Sequence, residues 1–105
     1  MDRENNRILL ALERQRQLIN RERINPEIQL LDMESIHPVV SMVADVRAAY
    51  IKALFEIASQ RDGLPSPKQI DKLAQLRRSY SEVVDAANAM EVAIERGYMD
   101  VKNDP

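Results

Sequence analysis

The sequence predicts an all-α fold. It reads as an antiparallel helical hairpin, about 38–61 and 67–96, plus an N-terminal helix, forming a small helical bundle completed by dimerisation. Three observations carry this. Both hairpin helices repeat apolar residues in alternating steps of three and four, the spacing of a coiled-coil seam. Helix-capping residues stand where those patterns begin and end. Two glycines in 105 residues are too few for a turn-rich β fold.

The N-terminal helix spans about 1–23, with Ile8, Leu12, Leu18 and Ile19 as the positions through which it could cover the hairpin. The connector, 24–37, begins Asn25-Pro26-Glu27: a cap, a proline and an acid, in the order a helix start uses. The expectation is a short helical piece over about 26–35, with the first hairpin helix entered at Pro38. The hairpin corner is Gly63-Leu64-Pro65-Ser66-Pro67. Gly63 suits a left-handed residue beyond a helix end. Ser66-Pro67-Lys68-Gln69 forms a capping box with proline in the first helical position. Gly97 suits a second left-handed stop, and 97–105 reads as a tail.

In the hairpin, Val39, Val43, Val46, Tyr50, Ala53 and Ile57 form one seam. Leu73, Leu76, Tyr80, Val83, Ala87 and Met90 form the other. Paired antiparallel, facing residue numbers add to 129 or 130, so the fold-back centres near residue 65, inside the corner. Tyr50 and Tyr80 are expected to share a layer.

The first hairpin helix carries a second stripe: Val40, Ala44, Arg47, Ile51, Leu54 and neighbouring Phe55. Leaving its large apolar side chains wet forfeits roughly 1.5–3 kcal/mol each, against a net domain stability of ~5–15 kcal/mol. This stripe, with Ile8, Leu12 and Ile19, is the expected interaction face. It is to be covered by the N-terminal helix or by a second copy of the chain.

Composition removes several function classes. Apolar residues make up 45% and charged residues 30%, which places the chain among globular domains. With no cysteine, disulfides, thiolate metal sites and cysteine nucleophiles are out, which suits a reducing compartment. The N-terminus is a poor signal peptide and no apolar run is long enough to span a bilayer, so a cytoplasmic setting is expected. No Gly-rich phosphate loop, zinc spacing or hydrolase nucleophile motif occurs, and neither a cofactor nor a metal is expected. His37, the lone histidine, reads as a boundary residue beside Pro38. Glu91 and Glu95, spaced i, i+4, suit a solvated face.

Charge is uneven. Residues 1–23 hold six arginines against four acids, a net of +2; the rest holds nine bases against thirteen acids, a net of −4. Arg3, Arg7, Arg14 and Arg21 lie along one face of the N-terminal helix, where clustered guanidinium groups are candidate phosphate contacts. Glu4, Glu13 and Glu22 interrupt them, and no aromatic is interleaved for base stacking. Arg47, inside the apolar stripe, either packs its stem and sends its head to the rim or binds an anion. The expected function is therefore a non-enzymatic protein–protein interaction module, an adaptor, accessory or scaffolding subunit that self-associates. One alternative is a nucleic-acid-associated accessory protein using the N-terminal arginines. Another is a small helical enzyme or binder of an anionic metabolite using Arg47.

Overall fold

The computed structural model describes residues 3–28, 30–60 and 62–102. Three α-helices carry the chain: α1 (Arg3–Ile24), α2 (Met33–Gln60) and α3 (Pro67–Glu95), with a 3-10 turn at Asn25–Glu27 between the first two. The described residues contain no strand, only one isolated parallel bridge between Leu31 and Val101. The all-α fold and the packed helix pairs are as the sequence predicts. The chain divides into two compact units. One takes Ile36–Ala89; the other joins Met1–Ser35 to Met90–Pro105.

The Ile36–Ala89 unit is the hairpin. Along α2, Val39, Val43, Val46 and Tyr50 are half-buried, and Ala53 and Ile57 are buried. Along α3, Leu73, Leu76, Tyr80, Val83 and Ala87 are half-buried. These are the two seams. The Tyr50 and Tyr80 rings lie 5.7 Å apart between centroids and are tilted by 32°, a favourable offset contact that fixes the register. At the corner Gly63 has φ +99°, a conformation that costs a side chain dearly. Beyond it the capping box closes both ways. The Gln69 amide donates to Ser66 Oγ at 3.1 Å, and the Ser66 amide donates to Gln69 Oε1 at 2.8 Å.

Two features of the connector differ from the sequence reading. The piece expected over 26–35 is only the 3-10 turn, and α2 begins at Met33, five residues before Pro38. Asp32 is the reason. Its Oδ1 accepts the Ser35 amide at 2.8 Å and the Ser35 hydroxyl at 2.9 Å, satisfying donors that a helix start leaves orphaned. Pro38 therefore lies inside the helix. His37 lies on α2 as well, with Nδ1 3.5 Å from Ser41 Oγ. Asn25 caps nothing; its side chain is used elsewhere.

The other unit is built around a helix stop. Gly97 has φ +74°, its amide donates to the Ile94 carbonyl at 3.1 Å, and the Tyr98 amide donates to the Ala93 carbonyl at 2.8 Å. This is a Schellman motif, and its usual apolar contact is present. Ala93, Tyr98 and Met99 form a buried cluster, with Ile24, Leu31, Met90 and Ile94 packed against it. Residues 98–102, read from the sequence as tail, supply two of these buried side chains and both hydrogen bonds of the Leu31 bridge.

Candidate interaction face

The strongest candidate site is the outer face of α2. By composition α2 is an interior helix: only five of its 28 residues are Asp, Glu, Lys or Arg. A helix apolar on most of its circumference belongs in a core. Yet only Ala53 and Ile57 of α2 are buried. Val40 is 59% exposed, Ile51 48%, Leu54 53% and Phe55 68%. Ala44 and Arg47 on the same stripe are exposed too. The seam toward α3 accounts for one face of α2, and the second face stands open over about 27 Å from residue 40 to 58.

Arg47 reaches sideways from this stripe. Its guanidinium carbon lies 5.7 Å from the centroid of the Tyr80 ring, a cation–π distance. The head is thereby drawn to the tyrosine layer and the stem stays on the apolar face. Beside that layer, Tyr50, Leu73, Arg77, Arg78 and Glu82 line part of a shallow groove of about 590 Å³. Its charged side chains are all exposed.

In the other unit, α1 buries no residue. Ile8, Leu9, Leu10, Leu12, Leu18 and Ile19 are each between 47% and 72% exposed. Contact begins near the C-terminal end of α1. Gln17 Nε2 donates to the Arg96 carbonyl at 3.3 Å. Arg21 donates to the Gly97 carbonyl at 3.0 Å and to Asp100 Oδ1 at 2.6 Å. Asn25 Oδ1 accepts the Asp100 amide at 3.0 Å, and its Nδ2 donates to Asp100 Oδ2 at 3.4 Å. The Arg21 hydrogen bond and charge hold the Asp100 carboxyl below the usual carboxylate range. Asp32 is held low in the same sense by its two bonds from Ser35. The Tyr98 hydroxyl is buried and makes no hydrogen bond of strict geometry. Arg96 and Asn20 are nonetheless close enough to favour its ionised form and hold its pKa below the ordinary tyrosine value.

The residues predicted for a site thus fall into different surroundings. Arg21 is committed to the clasp between α1 and residues 97–100. Arg3, Arg7 and Arg14 are exposed on α1. Arg16, on the same helix, pairs with Glu13 at 2.7 Å. Among the described residues no group of three His, Asp or Glu side chains is placed to hold a metal. None of the three helices is long and apolar enough to cross a membrane. Sequence periodicity missed the clasp residues Gln17, Asn25 and Asp100. The nearest signal was the Gly97 stop, which says that the chain turns there but not what it meets. No protein-family model, curated protein or solved structure matches the chain.

Proposed function

We propose that the protein is a non-enzymatic protein–protein interaction module, a small adaptor, accessory or scaffolding subunit that self-associates through helical packing. One observation carries the reading: α2 has the composition of a central helix, while Val40, Ile51, Leu54 and Phe55 on its outer face remain about half or more exposed. Covering such a face is worth roughly 1.5–3 kcal/mol per large side chain before the costs of association. In the other unit, Ile8, Leu12 and Ile19 of α1 are exposed apolar side chains too. A cytoplasmic setting fits a cysteine-free chain.

Two differently tagged copies of the full chain, co-expressed and purified through one tag, test the reading. The second copy is expected to co-purify in near-equal amount, and to be lost when Leu54 and Phe55 are both changed to Asp in each copy. Recovery of the bait alone from the wild-type pair contradicts it.

A further inference from the structure

We infer that the occupant of the α2 face is a second copy of this chain, packed antiparallel, with a two-fold axis crossing α2 beside Ala48 and Ala49. The inference rests on the self-association reading above and adds its orientation. Two features of the hairpin, on different helices, support it.

The first is the stripe on α2. Its midpoint, between Val40 and Ala58, is residue 49. Folded on itself about that level, the stripe sets its large apolar side chains against alanine, serine or the stem of Arg47. Val40 meets Ala58, Leu54 meets Ala44, and Ile51 meets the Arg47 stem. Phe55 meets Ser41 one row over, where Ala48 meets its own copy. Facing surfaces interdigitate best when large and small alternate this way. Arg47 leaves room for Ile51 of the second copy because its head is drawn to the Tyr80 ring. A parallel pairing would instead set Arg47 on Arg47 and Phe55 on Phe55, with like charges opposed at the centre.

The second feature is the charge along the hairpin part of α3, where every Asp, Glu, Lys and Arg side chain is exposed. Residues 67–78 hold Lys68, Lys72, Arg77 and Arg78 against Asp71, a net of +3. Residues 82–89, the rest of the hairpin's share of α3, hold Glu82 and Asp85 with no base, a net of −2. The sign inverts at residue 80, with Arg78 and Glu82 equally far on either side. The Tyr50–Tyr80 contact places that inversion at the level of the α2 midpoint. One two-fold axis at this level therefore brings the basic half of each α3 beside the acidic half of the other. It also closes the apolar stripe, and the interface is isologous, so assembly stops at two.

The chain has no cysteine, so introduced thiols report orientation without background. Three single variants of the full chain are purified: Ala48→Cys, Val40→Cys and Ala58→Cys. Each is oxidised alone, and the last two also as a mixture, while sedimentation gives the mass of each. A disulfide needs Cα atoms within about 7 Å, and in the antiparallel pair residue 40 lies about 27 Å from its own copy along the axis. The inference predicts cross-linked dimer from Ala48→Cys alone and from the mixture. Val40→Cys and Ala58→Cys alone are to give less than a tenth of that yield. Efficient self-linking of Val40→Cys and Ala58→Cys overturns the antiparallel arrangement and leaves self-association standing. The same holds for a sedimenting dimer that links at none of these positions. A monomer in every sample overturns both.

Discussion

The hairpin and the clasp hold helices together in opposite ways. In the hairpin, α2 and α3 meet through a repeating apolar seam, and the Tyr50–Tyr80 contact is one layer among several. In the clasp, single polar side chains of α1 reach backbone carbonyls and one carboxylate 76 to 79 residues away in sequence. A seam spreads its stabilisation over many weak contacts and tolerates the loss of one. A clasp concentrates it in a helix stop, a three-residue buried cluster and a few directional bonds. The first design also leaves apolar surface on a second face of α2, about 100° round the helix from the seam. The second leaves most of α1 exposed and tied down by its last two turns.

The comparison breaks most visibly at the α2 face. Changing Leu54 and Phe55 together to Asp removes two large apolar side chains from the proposed interface, worth about 3–6 kcal/mol in all. Self-association is expected to weaken by roughly a hundredfold or more. Sedimentation measures it, and circular dichroism is to show the helices intact, because neither residue belongs to the seam. In the clasp the largest effect belongs to Tyr98, 6% exposed. Tyr98→Ala is expected to cost about 3 kcal/mol of unfolding free energy, the usual scale for emptying a buried aromatic site. Urea titration reads it.

Backbone geometry gives the next rank. Gly97→Ala places a Cβ on a residue at φ +74°, with Gln17 Nε2 3.5 Å away. The contact is ordinary, so the cost is the left-handed backbone, about 1–2 kcal/mol. A smaller loss, about 1 kcal/mol, is expected from Ser66→Ala at the hairpin corner, where one cap bond to Gln69 disappears. Thermal unfolding ranks the two.

The smallest effect is a pH dependence. Asp100 is held below its ordinary pKa of 3.8 by Arg21, so its charged form favours the folded clasp. That contribution is fully present above about pH 4 and is lost as pH falls through the depressed value. Protection of the Leu31 amide, whose N–H donates to the Asp100 carbonyl at 3.3 Å, is expected to fall as the pH is lowered in that range, read as the exchange rate relative to that of an unprotected amide at the same pH. Asp100→Asn should flatten that acid response.

The hairpin was legible because its information is periodic. Steps of three and four locate a seam, the constant sum of facing residue numbers locates its register, and the capping box and Gly63 locate its corner. The clasp was illegible for the converse reason. Arg21, Asn25 and Asp100 obey no spacing, and the same arginine on a solvated face would look no different in sequence. The Arg21 guanidinium donates to Asp100 and to the Gly97 carbonyl, partners that no spacing announces. The start of α2 was missed through competition between two valid signals. A proline favours the first turn of a helix, but Asp32 and Ser35 offered an earlier cap, and the helix took it. The α2 face was visible in sequence as apolar surface in excess of what one partner helix covers, and its exposure follows from the same wheel.

Sedimentation equilibrium of the unmodified full chain, over a hundredfold range of concentration, tests the central idea most directly. The expected result is a mass that rises from about 12.1 kDa toward twice that value and then levels. A mass fixed at that of one chain throughout the range, with Val40, Ile51, Leu54 and Phe55 still open to water, would contradict it.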